Sequence, residues 1–308
     1  MEPQSFTLTA SDGAILSLAV TTPETAPKAI VHLVHGMSEH KNRYLPVMEY
    51  LSSRGYACVI SDLRGHGETL TDYNERGHLG KRGYQGIIDD LVLVSAWAKE
   101  RFPGIPLYIF GHSMGSMLVR AYCKEHDDDL AGLVVCGSPS ANSFARVGQW
   151  LARIVWMFNG WHYRSPFLAG LATGNYGKKL KKKEGSSHAW ICSDPAVVAA
   201  YDADPLCGFK FTVNGYYHLF GLMADIYSRK GWAVRNPGLK VIFIAGAEDP
   251  CIVSLKKFAE AVSFFRSLGY NDVTSKVYPR MRHEVLNEKD KETVWNDLAN
   301  TLDVWTAQ

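Results

Sequence analysis

Tyr108-Ile109-Phe110-Gly111-His112-Ser113-Met114-Gly115-Ser116 is the stretch whose reading decides the fold. The apolar run 107–110 reads as a buried strand. It breaks at Gly111, and helical spacing resumes at Met114 with Met117, Leu118, Ala121 and Tyr122. Gly-x-Ser-x-Gly between a strand and a helix has a mechanism behind it. A chain that turns sharply from strand into helix leaves no room for side chains beside the turn, which suits Gly111 and Gly115. The backbone of Ser113 is expected to be strained there, with its Oγ standing at the end of the sheet. Amides at the start of the following helix would point towards any oxyanion formed next to it. A Gly-Ser turn that merely joins two elements needs none of this context, so Ser113 is the candidate nucleophile.

Working outward, the N-terminal side predicts a β-hairpin, with strands around 6–8 and 15–20 about the turn Ser11-Asp12-Gly13. A nearly continuous apolar strand covers 29–35 and ends at His35-Gly36-Met37. A helix over about 44–54 and a strand over 57–60 follow, then the loop Asp62-Leu63-Arg64-Gly65-His66-Gly67 and a helix over 84–101. Beyond the elbow helix comes a strand over 132–136. After an interruption, strands at 240–245 and 273–278 alternate with helices near 254–268 and 290–306. Strands alternating with helices predict an α/β fold with a mostly parallel central sheet covered on both faces.

The interruption divides the chain into a core (1–137), an insertion (138–236) and the rest of the core (237–308). The insertion holds 17 of the 36 aromatic residues. Phe144, Val147, Leu151, Ile154 and Phe158 share one helical face, as do Tyr216, Leu219, Phe220, Met223 and Tyr227. Core packing is the expectation for both stripes. An aromatic helical segment directly after a sheet strand is also well placed to cap the carboxyl edge, where α/β folds bind ligands. Within it, Lys178-Lys179-Leu180-Lys181-Lys182-Lys183 is the one charge run. A solvated loop is the plain reading of that run, and contact with an anionic lipid surface the alternative.

At 308 residues, 46% hydrophobic and 21% charged, the chain is long enough and apolar enough for a sizeable core. Its net charge of +2 gives no field that argues for nucleic acid. No secretory signal is evident at the start, and no apolar run approaches the roughly 20 residues that span a bilayer. The six cysteines include no Cys-x-x-Cys pair, and Cys58 and Cys136 fall in buried strands. Reduced thiols in a cytoplasmic protein are the expectation.

A serine hydroxyl needs a base in reach, and the base needs an orienting acid. Of eleven histidines, His283 follows the strand 273–278 in a loop leading towards the last helix, which places it at the carboxyl edge. His35, His66 and His112 lie in neighbouring loops and read as loop organisers, and His32 as a core or flank residue. The acid is sought in Gly246-Ala247-Glu248-Asp249-Pro250, directly after strand 240–245. Asp249 is preferred to Glu248 because Asp before Pro is readily held in a turn. The oxyanion donors expected are the amides of Met114, directly after the nucleophile, and Met37, beside Gly36. His283-Glu284 is followed by no second His at helical spacing, and no phosphate- or dinucleotide-binding loop is present, so no metal and no cofactor are expected.

With these residues in place the chain resembles the α/β-hydrolase superfamily. Within it, the chain resembles the monoacylglycerol lipase and lysophospholipase group, also described as serine aminopeptidase-like hydrolases. The resembling segments are His35-Gly36-Met37-Ser38-Glu39-His40 with Arg43-Tyr44, then 62–67, 111–115 and 246–249, and His283-Glu284 with Asn287-Glu288. Asp204-Pro205-Leu206-Cys207 is similar to a segment of bacterial members. The resemblance implies hydrolysis of esters, such as those of monoacylglycerol- or lysophospholipid-like single-chain lipids, through an acyl-serine intermediate, with the cap shaping an acyl pocket. Met37 stands where many members carry a small residue, and its side chain would narrow the acyl entrance. Two other readings remain at this point. One is an aminopeptidase of the same fold, which needs a cap carboxylate (Asp194, Asp202, Asp204 or Asp225) for the substrate ammonium group. The other is a non-catalytic ligand-binding module.

Overall fold

The structure is a computed structural model that describes residues 2–70, 72–174 and 176–307. One member of the lysine run, Lys179, has its side chain outside the described residues. Strands β1 (Gln4–Thr9) and β2 (Ile15–Thr21) form the hairpin, and β3 (Ala29–Val34), α1 (Leu45–Ser53) and β4 (Tyr56–Ser61) the first parallel crossover. Then come α2 (Tyr84–Arg101), β5 (Leu107–His112), α3 (Met114–His126) and β6 (Gly132–Cys136). Five helices follow before the sheet resumes: α4 (Ala145–Asn159), α5 (Pro166–Ala172), α6 (Lys178–Glu184), α7 (Pro195–Ala203) and α8 (Val213–Asp225). The chain closes with β7 (Lys240–Gly246), α9 (Leu255–Arg266), β8 (Val273–Tyr278) and α10 (Lys291–Thr306).

The eight strands pair in the order β1-β2-β4-β3-β5-β6-β7-β8. Only the pairings made by β2 are antiparallel, so the sheet is mostly parallel, as expected. Side chains alternate between faces along a strand, and that alternation builds two cores. Ile30, Val34, Leu107 and Ile109 face α2, α3 and α9, whereas Val31, Leu33, Tyr108 and Phe110 face α1 and α10. Strands buried on both faces explain why β3, β4 and β5 read as continuous apolar runs.

The two aromatic stripes between β6 and β7 part company. On α8, Tyr216, Leu219 and Phe220 are buried, as expected. Along α4 the expectation of core packing holds only in part: Leu151 packs against the core and Ile154 is half-buried, but Phe144, at the start of the helix, is 73% and Phe158 81% exposed, and Val147 is also exposed. The reason lies on the opposite side of α4, where Ala145, Gly148 and Ala152 are buried. A Cβ on Gly148 would stand 3.0 Å from the ring of Phe220, so α4 approaches α8 through its smallest residues. That close approach turns the bulky stripe outward. Among the described residues, no helix is long and apolar enough to cross a membrane.

Candidate active site

The carboxyl ends of β3 and β5 lie side by side where the strand order reverses, the crevice in which open α/β sheets hold ligands. Ser113 leaves β5 at φ 54°, ψ −116°, a conformation that costs an L residue on the order of 1–3 kcal/mol. Space dictates the flanking residues. A Cβ on Gly111 would lie 2.4 Å from the carbonyl oxygen of Gly115, and one on Gly115 would lie 2.2 Å from that of Val34. The Ser113 amide donates to the Cys136 carbonyl at 2.9 Å, which ties the turn to β6.

Opposite this turn, the loop after β3 has its amides sorted. Gly36 N–H donates to Glu39 Oε1 (2.6 Å) and Ser38 N–H to His66 Nε2 (3.2 Å). Among the described residues, the Met37 and Met114 amides have no protein acceptor, and both residues line the cavity that contains Ser113. Two open donors on either side of a serine are what a tetrahedral oxyanion requires.

The loops after β7 and β8 are zipped together by backbone hydrogen bonds, Ala247 to Tyr278 (2.8 Å) and Glu248 to Met281 (2.9 Å). Gly246 makes this possible, since a Cβ there would lie 2.1 Å from the Arg282 carbonyl oxygen. The result places Asp249 Oδ2 2.9 Å from Nδ1 of His283, with Oδ1 taking the Cys251 amide at 2.8 Å. Both residues are buried, while Glu248 points to solvent. His283 Nε2 has Cys251 Sγ 3.9 Å away. Burial, and then the charge of Asp249, push the Cys251 thiol well above its ordinary value, so it stays protonated.

The remaining loop histidines act as organisers. His35 takes the Leu63 amide on Nε2 (3.0 Å), and burial pushes His66 down to about 3, which keeps Nε2 an acceptor for Ser38. His32 bonds Ser95 through Nδ1 and leaves Nε2 unpartnered among the described residues. Clusters with metal-ligand chemistry are His40/Asp204/Cys207, Glu75/His78/His162 and Asp249/Cys251/His283. The first already contains a His40–Asp204 hydrogen bond (2.8 Å), the second a His162–Glu75 contact with stacked imidazoles, and the third is the Asp–His pair just described.

Sequence reasoning missed a buried ionic network. Arg43 bonds Glu39 Oε2 (2.8 Å) and both carboxylate oxygens of Glu284 (2.7 and 2.5 Å). The i, i+4 spacing of Glu39 and Arg43 was a signal for half of it. It also missed Trp190, whose ring lies 5.0 Å from that of His283. Trp190 reaches that place because the Glu284 amide bonds the Ile191 carbonyl and the Arg282 side chain bonds those of Ala189 and Cys192.

Ser113, His283, Met37 and Met114 open into a cavity of about 530 Å³. Its walls come from the segment between β6 and β7, with Pro166, Ala169, Tyr176, Trp190, Tyr216, Leu219 and Met223 among them. Such a volume is that of a small-molecule site. Asp194, Asp202, Asp204 and Asp225 do not line it; they cap α7 or pair with His188, His40 and Lys124.

Sheet order, strand–serine–helix turn and inserted helices define an α/β-hydrolase. Residues 25–290 match the family described as serine aminopeptidase, S33, and the chain belongs to that family. It is similar to the monoacylglycerol lipase of Mycolicibacterium smegmatis, 29% identical over 284 residues that cover 92% of this chain and 91% of that protein. Phospholipase YtpA of Bacillus subtilis is 24% identical over 270 residues, covering 87% and 93%. The solved structure of a highly thermostable carboxyl esterase from Bacillus coagulans in complex with glycerol superimposes with a TM-score of 0.86, at 26% identity over 99% of both chains.

Proposed function

We propose that this protein hydrolyses esters of single-chain, monoacylglycerol- or lysophospholipid-like lipids through an acyl-serine intermediate on Ser113. It is a carboxylic ester hydrolase, in keeping with its likeness to a monoacylglycerol lipase, a phospholipase and a carboxyl esterase. One observation carries the assignment of the site: the strained serine and a histidine oriented by a buried aspartate open into the same largely apolar cavity. His283 Nδ1–H donates to Asp249, which leaves Nε2 to take the Ser113 proton as Oγ attacks the carbonyl. The Met37 and Met114 amides hold the oxyanion, each contributing about 3 kcal/mol. His283 then protonates the leaving alcohol, and water repeats the cycle to release the acid. Residues 138–236 act as the cap, over a core of 1–137 and 237–308, and Met37 narrows the entrance for the acyl chain. An aminopeptidase reading lacks its anchor, because the four candidate cap acids are engaged elsewhere and the two carboxylates at the cavity, Glu39 and Glu284, are paired with Arg43.

The charge run adds a finer element. Lys178 and Lys181 border the cavity, and the outward stripe of α4 belongs to the same segment. Transient contact with an anionic membrane surface would bring substrate to this opening, each lysine contributing on the order of 1 kcal/mol.

The test pairs Ser113→Ala with an ester panel. A fluorophosphonate should label the wild type and not the variant, and the variant should lose turnover while keeping its fold. Monoacylglycerols and short p-nitrophenyl esters should be cleaved much faster than a trioctanoin emulsion. Residual activity above a few per cent in the variant would rule out Ser113 as nucleophile. A sharp rise in rate when substrate aggregates would make 138–236 an interfacial lid rather than an enclosing cap.

A further inference from the structure

His112, the residue before the nucleophile, has an acceptor at each ring nitrogen. Nδ1 lies 3.1 Å from Glu39 Oε1, and Nε2 lies 3.2 Å from the backbone carbonyl oxygen of His283. Neither partner has a proton to give. The same Glu39 oxygen already receives the Gly36 amide (2.6 Å) and the Tyr44 hydroxyl (3.0 Å), and the other oxygen receives Arg43, so the group is a carboxylate. A neutral imidazole carries one N–H and would present a lone pair to one of its two acceptors; an imidazolium satisfies both. The ring is 4% exposed, so solvent cannot relieve a mismatch. Charge counting agrees. Glu39 and Glu284 carry two negative charges and Arg43 one positive charge, and a cationic His112 brings this buried cluster to neutrality.

We propose that His112 is a positioning residue that works as a buried imidazolium, holding the Gly36–Met37 loop through Glu39 and the His283 loop through its carbonyl. The clamp keeps the oxyanion donor and the general base in register about the serine that separates them. This role rests on the reading of Ser113, His283 and Met37 given above.

The groups that face the ring are Glu39 and Tyr44 from the segment after β3, and, from the loop after β8, Glu284, the His283 backbone and the His283 imidazole, its ring centre 4.7 Å away. Burial alone would push His112 down, but the hydrogen bond and charge of Glu39, then the charge of Glu284, outweigh it and raise the group. Glu39 in turn is buried, yet His112 and Arg43 hold it well below the usual carboxylate range. The sign follows. A histidine raised in the folded state contributes stability in full below its unfolded value of about 6.5, and loses it as pH rises through the folded value. Deprotonation also releases the clamp on the two loops, which places an alkaline limb of the kcat profile at His112.

The experiment is ¹⁵N NMR of histidine-labelled full-length protein, with the His112 signals assigned from a His112→Gln sample, alongside the pH dependence of kcat for wild type and Glu39→Gln. At about pH 7.5, where an ordinary imidazole is neutral, His112 should carry protons on both nitrogens. Glu39→Gln should remove one of them, lower kcat roughly tenfold with KM within about twofold, and move the alkaline limb to lower pH. A singly protonated His112 in the wild type overturns the proposal. So does a folded Glu39→Gln with unchanged kcat and limb. Should that variant not fold, the wild-type NMR signals still decide, and Glu39→Asp, which keeps the charge, should preserve the limb. Activity surviving in Ser113→Ala breaks the reading of the site instead, and leaves the protonation of His112 to be judged by its own signals.

Discussion

The carboxyl edge of the sheet and the helices that cover it are built by different rules. At the edge, buried side chains take the loop amides one by one: Glu39 takes Gly36, His66 takes Ser38, Asp62 takes Lys41, Asp249 takes Cys251 and Glu288 takes Arg282. Each is a buried hydrogen bond, and leaving one unmade costs about 1–3 kcal/mol. In the covering segment α4 and α8 meet helix to helix through small residues and Phe220. Directional hydrogen bonds fix the first region, whereas the α4–α8 pair in the second is set by shape and volume.

The sharpest way to break this contrast is at the edge. Asp249→Asn should lower kcat by about 10⁴, because an amide facing Nδ1 favours the wrong imidazole tautomer. Glu248→Gln, one residue away and exposed, should remain close to wild type in the same p-nitrophenyl ester assay. If the two results are exchanged, the acid is Glu248 and the edge is less rigid than its hydrogen bonds imply.

A substitution in the buried half of the covering segment should cost stability more than chemistry. Phe220→Ala empties the contact with Gly148 and should lower the unfolding free energy by about 3 kcal/mol, read from urea titration. Short-ester turnover below the transition should stay within an order of magnitude of wild type. A collapse of kcat with intact stability would mean that α8 positions the catalytic loops directly.

The smallest effect belongs to the outward stripe. Phe158→Ser exchanges an exposed ring for a hydroxyl, so stability should change by no more than about 0.5 kcal/mol and soluble-ester activity should hold. Its sedimentation with anionic vesicles should fall relative to wild type, and fall further when Lys181 and Lys182 are replaced by Glu. Unchanged sedimentation in all variants removes membrane contact from the functional reading.

Much of the edge was legible in the residues because local constraints wrote it there. Gly111 and Gly115 are demanded by contacts within a few residues of Ser113 or with the adjacent strand. The strand–helix alternation that yields the sheet is a matter of short-range periodicity. Asp249 before Pro250 forms its own turn, taking the Cys251 amide two residues on. What stayed hidden needed partners far apart in sequence. Glu284 sits beside His283 in the chain, but its bidentate bond to Arg43 spans 241 residues. Trp190 carries no local mark of its place beside His283, which it owes to bonds between the covering segment and the loop after β8.

The helical stripes of α4 and α8 draw the same line within one segment. Spacing determined that both helices are amphipathic, since a period of 3.6 residues gathers apolar side chains on one face whatever lies opposite. It could not determine which face meets the protein. On α8 the aromatic face turns inward, against the core and the cavity. On α4 the choice fell to Ala145, Gly148 and Ala152, because only that side lets the backbone come close enough to seat Phe220. Sequence alone thus determined the strands and helices that build the sheet, the elbow and the candidate acid and base, but not α5, α6 or α7; the lysine run, expected as a solvated loop, forms the helix α6. Tertiary structure decided which apolar surface was buried and how distant charges were paired, because close packing and charge neutralisation are settled between neighbours in space.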